Sequence, residues 1–135
     1  MADMLTAAWA TRKLQMQLGQ AMPEDLVLGL FVNDRDPHPR DTAEVYAEPM
    51  DGGYSRIRLK PADWKVEPAQ PGRAALATYP EITFTFAGGQ FKVFGYFITG
   101  YDTGILVGAG RFDEPRPVQF LGDQEKINVV LTQPV

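Results

Sequence analysis

Between Thr78 and Phe112 the chain reads TYPEITFTFAGGQFKVFGYFITGYDTGILVGAGRF, and no single layer of chain can bury all of its apolar side chains. From Glu81 to Ala87, Ile82, Phe84 and Phe86 alternate with Glu81, Thr83 and Thr85, the period of a strand with one buried face. Gly88-Gly89 breaks the pattern. Both glycines accept positive φ at no Cβ cost, so the spacing predicts a two-residue turn with Gln90 to Thr99 as the second strand of a hairpin. With Ala87 opposite Gln90, the register sets Phe86 against Phe91, Phe84 against Val93 and Ile82 against Gly95 on one face. Phe94, Tyr96 and Ile98 then lie on the other. A strand apolar on both faces belongs in mid-sheet and needs two covers, the core on one side and a helix, a second sheet or a partner molecule on the other. Gly100 to Gly104 reads as the next turn, with Ile105 to Phe112 returning so that Val107 lies near Phe97. Gly104, Gly108 and Gly110 in that return predict close backbone approach or a bulge.

The remaining chain fits around this stretch. Met4, Ala7, Ala8, Thr11, Leu14 and Leu18 recur at helical spacing, which predicts one amphipathic helix over about residues 3–20, capped by Asp3 and ended by Gly19. It is expected to lie across one end of the sheet. The alternative, kept open by Trp9 off the main stripe, is an arm that docks on a neighbour. Leu26 to Val32 is a nearly continuous apolar strand, hence central. Residues 33–49, with Pro37, Pro39 and Pro49 among many charges, read as a surface connection between sheets. Gly53 to Leu59 alternates as a strand with one wet face, and Trp64 in the short turn and strand after it reads as core. Glu67 to Arg73 and Asp113 to Pro117 read as loops. Val118 to Phe120 and Lys126 to Thr132 are strands, with Ile127, Val129 and Leu131 facing one way. The total, about eight strands and one helix, predicts a mainly β, antiparallel two-sheet sandwich of Greek-key or jelly-roll type. Its 135 residues suit a single domain, 1–135.

Composition narrows the function. The formal charge is −4 and the thirteen Lys and Arg are scattered, whereas a nucleic-acid grip clusters basic residues on one face; no nucleic-acid partner is expected. The absence of cysteine removes disulfides, thiol catalysis and thiolate metal sites. No segment has the length of a membrane span and the first residues lack the pattern of a signal peptide, so the expected location is the cytoplasm unless the chain leaves within a larger particle. His38, the one histidine, lies between two prolines in a charged loop and reads as exposed; a metal site needs several ligands. Asp34, Asp36, Asp41 and Glu44 crowd the same loop, but their spacing matches no calcium loop. No nucleophile elbow or phosphate loop occurs. No catalytic, cofactor-binding or metal residue is therefore expected. Tyr46, Tyr54, Tyr79, Tyr96 and Tyr101 offer a platform for sugar rings as an alternative, but Tyr96 reads first as core and Tyr101 as a turn residue, the best placed of the group for exposure.

Taken in order, LGLFVND with its proline-containing loop, GGYSRIRLKPADW, ATYPEITFTFAGG, FKVFGYFITG and GAGRF ahead of a closing alternating strand resemble small structural proteins of tailed bacteriophages. The resemblance covers roughly residues 26–131. It departs from the family pattern at Leu106 to Gly110, which lacks the Trp and acidic residue that usually precede Arg-Phe. It implies a non-enzymatic virion protein, a head decoration or cement protein on the capsid surface, with the major capsid protein, other virion proteins and itself as partners, as a homo-oligomer. A tail or baseplate component and a carbohydrate-binding module of the virion surface are the alternatives. Under this reading the contact residues are Met4, Trp9, Leu14, Leu18, Phe94, Tyr96, Ile98 and Tyr101, together with the loop from Asn33 to Pro49.

Overall fold

The computed structural model describes residues 4–133, which form ten strands and one α-helix. They follow as β1 (Met4–Leu5), α1 (Ala7–Gln17), β2 (Leu26–Phe31), β3 (Ile57–Leu59), β4 (Lys65–Glu67), β5 (Ala75–Thr78), β6 (Ile82–Ala87), β7 (Phe91–Gly100), β8 (Leu106–Val118), β9 (Leu121–Ile127) and β10 (Val130–Gln133). The first layer is a five-stranded sheet in the order β1-β8-β7-β2-β3. The second is built from a three-stranded ladder, β10-β5-β4, and a two-stranded one, β6-β9. These two ladders are consecutive parts of the same pair of chain segments, since β5 leads into β6 and β9 into β10, and the Tyr79 amide donates to the Val129 carbonyl (3.0 Å) where they join. All the pairings are antiparallel. The protein is mainly β, with its sheets stacked as a sandwich around a core fed by Leu28, Leu30, Tyr96, Ile98 and Val107 from the first layer and Ile82, Phe84, Phe86 and Ile127 from the second.

The expected hairpin across Gly88-Gly89 does not form. β6 pairs with β9 (Ile82 with Ile127, Phe84 with Glu125), and β7 lies between β8 and β2 (Phe91 with Val118, Phe97 with Gly29). Both glycines do take positive φ, 119° and 102°. The amide of Ala87, which would bond across a hairpin turn, donates instead to the Gly52 carbonyl (2.7 Å), so the chain crosses from one layer to the other. The apolar alternation was real, but its partner lies across the core: Phe86 and Phe91 meet edge to face with centroids 5.3 Å apart, as members of opposed layers.

β7 is central, as its two apolar faces require, but those faces are not the expected sets. The ladder with β8 slips between Val93 and Gly95, and the side-chain alternation of β7 slips with it. Val93, Tyr96 and Ile98 therefore all point into the main core, three and then two residues apart, while Phe94 and Phe97 share the opposite face with Phe31, Leu106 and Ala109. Ala109, and not Val107, stands opposite Phe97; a second irregularity between Ile98 and Thr99 supplies one residue of that shift. The predicted close approach at the glycines is present. A Cβ on Gly110 would lie 2.7 Å from the Tyr96 ring, and one on Gly108 would run into the Met4 carbonyl.

β8 continues to Val118 through Pro115 and Pro117, where a loop is expected from sequence. It is hydrogen-bonded on one side only there, since β1 reaches no further than Ala109, and an edge tolerates missing N–H groups. The same prolines deny that edge to a foreign strand.

Helix α1 is shorter than its apolar spacing suggests. Thr6 caps it, its hydroxyl accepting from the Trp9 amide (3.1 Å) and donating to the Leu106 carbonyl, so one side chain starts the helix and fastens it to β8. Asp3, the expected cap, lies outside the described residues. Gly19, at φ 75°, ends the helix with its amide on the Met16 carbonyl. No residue of α1 is fully buried; Trp9 packs against the main core, while Leu14 and Leu18 point outward.

Candidate interaction surfaces

The second face of β7 is closed from within the chain. Neither the helix nor a partner is needed: residues 33–49, expected to be a surface connection, fold back over the sheet. Tyr46 lays its ring on Phe97 (centroids 5.4 Å, nearly parallel) and against Phe31 (4.9 Å). Val45 packs beside it. The ends of the strap are fixed by the Val32 amide on the Ala47 carbonyl (2.7 Å) and by the Asn33 side chain, which donates to the Val45 carbonyl and accepts from the Ala47 amide, both at 2.9 Å.

Asp41 locks the middle. Its buried carboxylate accepts from the Arg35 guanidinium (2.6 and 3.2 Å), the Tyr46 hydroxyl (2.7 Å) and the His38 amide (3.0 Å). The Arg35 hydrogen bonds hold its pKa down at about 2 against the opposing effect of burial, while burial and Asp41 push the Tyr46 phenol up. Because the folded pKa lies below the usual carboxylate value, Asp41 contributes stability that is fully present above about pH 4 and is lost as pH falls toward 2. Melting temperatures measured across that range should fall with acid in the native chain and should fall less steeply in Asp41→Asn. Equal slopes would mean that the lock is not this carboxylate. Of the acidic residues of the strap, Asp41 serves this lock, while the exposed Asp34 and Asp36 pair with Arg111 (2.5 and 3.1 Å). Among the described residues no group of acidic or histidine side chains has the arrangement of a metal site. His38 is exposed, its Nδ1 accepting from the Arg40 amide (3.1 Å).

The residues expected at an interface divide. Tyr96 and Ile98 are each 2 % exposed and belong to the main core, so the outer face expected to carry them with Phe94 does not exist as such; the slip in β7 turns them inward. Phe94 is half-buried beside the strap, with the Arg111 guanidinium 5.6 Å from its ring centre. Met4 is half-buried in β1, paired with Ala109. Trp9 is half-buried against the core. Leu14, Leu18 and Tyr101 are exposed. The Arg58 guanidinium sits 3.8 Å from the Tyr101 ring centre, which takes one face of the ring that a sugar would need.

Two exposed apolar groups emerge, at opposite ends of the β7–β8 hairpin. At the turn end lie Tyr101, whose amide donates to the Asp25 carbonyl (2.8 Å), and Met22, whose carbonyl accepts from Arg12 of the helix (3.4 Å), with Leu14 and Leu18 exposed on that same helical segment. They stand on firm ground: the Glu24 carboxylate accepts from the Asp102 and Thr103 amides (2.9 and 3.0 Å) and pairs with Arg12 of the helix (3.5 Å). At the far end, where Phe91 pairs with Val118, Phe120 and Leu121 are 69 % and 81 % exposed at the corner between β8 and β9. Phe120 there borders an open cleft of about 480 Å³ shared with Phe91 and Pro117. The Gln119 and Phe120 amides donate to the Asp123 carboxylate (2.9 and 3.0 Å), which fixes the corner. Sequence reasoning placed Phe120 in a strand; the neighbouring Gly122-Asp123 is the signal that two large apolar residues stand at a corner.

Comparison with protein-family models, with curated proteins and with solved structures finds no match to this chain. None of the helices among the described residues is long and apolar enough to cross a membrane.

Proposed function

We propose that this protein is a non-enzymatic structural component of a tailed-bacteriophage virion, a decoration or cement protein that binds the outer surface of the head and bridges neighbouring capsid subunits. The observation that carries the reading is the pair of exposed apolar groups, Leu14-Leu18-Met22 and Phe120-Leu121, held on hydrogen-bonded elements at the two ends of one long hairpin. A subunit with two such ends can touch two neighbours at once. The second contact then forms at high effective concentration, so modest affinity at each end suffices. The partners are the major capsid protein and further copies of this chain, and the net charge of −4 disfavours adhesion to packaged DNA. A tail or baseplate role would use the same surfaces and differs only in the part of the particle that is bound.

The test is to add purified protein to heads that lack it. Saturable binding is expected, with heads that resist heat better once occupied. Leu18→Lys and Phe120→Asp, both at exposed positions, should each weaken binding at least tenfold, with the far-UV spectrum and melting unchanged. Binding to tails alone would select the tail role, and no binding to either part, by a folded protein, would refute the proposal. The glycan alternative requires saturable sugar binding that Tyr101→Ala removes.

A further inference from the structure

A second kind of site lies where β8, β9 and the start of β10 meet. A cleft of about 310 Å³ opens there, lined by Phe112, Ile127 and Val130, by the partnered Tyr96, and by the polar Arg116, Lys126 and Asn128. Arg116 is positioned before any ligand arrives. Its guanidinium lies 3.7 Å from the centre of the Phe112 ring, and its Nη1 donates to the Lys126 carbonyl (3.2 Å) and more weakly to Glu125 (3.5 Å). Among the described residues its Nε and Nη2 donate to no protein acceptor, and the Lys126 ammonium has no ion pair. Glu125, 5 % exposed, is the acidic group paired with Arg116, and among the described residues no acidic side chain lines the cleft itself.

We propose that this cleft binds a carboxylate carried on a short apolar or aromatic body, with Arg116 and Lys126 holding the carboxylate and Phe112 and Ile127 receiving the body. The chemistry favours this class over others. The free edge of a guanidinium presents two parallel N–H groups that match a carboxylate, and a second cation beside it adds charge without fixing geometry. The volume lies at the small end of the range for ligand pockets, which suits a ring-sized body and not a nucleotide. The cleft is formed by β8, β9 and β10 whatever the protein's place in a virion, so the two proposals fail separately. The carboxylate could belong to a free small acid or to a glutamate side chain of a neighbouring subunit.

Two probes separate these sources: phenylacetate, and glutamate capped as N-acetylglutamate amide. Each is titrated into the 15N-labelled protein while amide shifts are followed, with benzyl alcohol as the uncharged control. For ligands of about ten heavy atoms a Kd on the order of 1–10 mM is expected, with shifts centred on residues 112–116 and 126–130. Arg116→Gln and Lys126→Gln should each raise that Kd about tenfold, and Lys126, being exposed, can be changed without threatening the fold. Binding of phenylacetate alone assigns the site to free acids; binding of the capped glutamate assigns it to a neighbour's side chain. Shifts no larger than those from benzyl alcohol, or a Kd unchanged in the folded Lys126→Gln variant, overturn the proposal.

Discussion

Tyr46→Ala is expected to lower the free energy of unfolding by about 3–5 kcal/mol, the range for removing a large aromatic from a core, although Tyr46 lies in a segment with no strand and with prolines at both ends. The ring is the principal cover on Phe97 and Phe31, and alanine would open that face of the central strand to water. Tyr46→Phe separates cover from lock. It keeps the ring and loses only the hydroxyl bond to Asp41, so a cost of about 1–2 kcal/mol is expected. Urea unfolding of the two variants beside the native chain provides the measurement. A cost below about 1 kcal/mol for the alanine variant would mean that the strap is not a structural cover, since ordinary surface changes stay within about 0.5 kcal/mol.

The second large effect belongs to Gly95. A Cβ there would collide with the Gly110 carbonyl oxygen and approach the Phe31 ring to 2.7 Å. The first is backbone of the paired strand and the second is fully buried, so neither moves cheaply. Gly95→Ala should therefore cost about 3 kcal/mol, at the upper end of overpacking penalties. Gly104→Ala is the matching control. It stands at φ 73° with nothing within 4 Å of the added atom, so only the left-handed conformation is penalised, by about 1 kcal/mol. Comparable costs at the two positions would remove the case that strand contact, and not backbone freedom, requires glycine at 95.

These two sites also show where sequence reasoning stops. Periodicity identified β2, β6 and β7 as strands and β7 as central, and it identified the helix, because buried faces impose their period directly on composition. The slip at Phe94 could not be read from that pattern. Val93, Phe94, Tyr96, Phe97 and Ile98 are all apolar, and a strand with two buried faces leaves no polar residue to mark where the alternation shifts. Gly88-Gly89 fits a hairpin turn as well as a crossing between layers, and the deciding bond comes from Gly52, some 35 residues away in sequence. β5 is four residues of small and apolar side chains whose pairing with β4 and β10 supplies the definition its sequence lacks. Of the candidate surface, Tyr101 was legible as an exposed position; Leu14 and Leu18 belonged to a stripe expected to lie across the sheet, and the structure turns them outward. As a strand aromatic Tyr96 was legible as core, although regular alternation set it with Ile98 on the outer face, and Phe120 and Leu121 became apparent only once the corner between β8 and β9 was placed.

The proposed structural role rests on one claim, that this chain uses both ends of its β7–β8 hairpin to bridge subunits on the outside of a phage head. The most direct measurement is an electron cryo-microscopy reconstruction of the intact particle that contains it. The predicted result is density for the sandwich on the outer head surface at junctions between capsid subunits, with Leu14 and Leu18 against one neighbour and Phe120 and Leu121 against another. A well-resolved particle with no such density on the head, or with the chain present but with both apolar ends facing solvent, would contradict it.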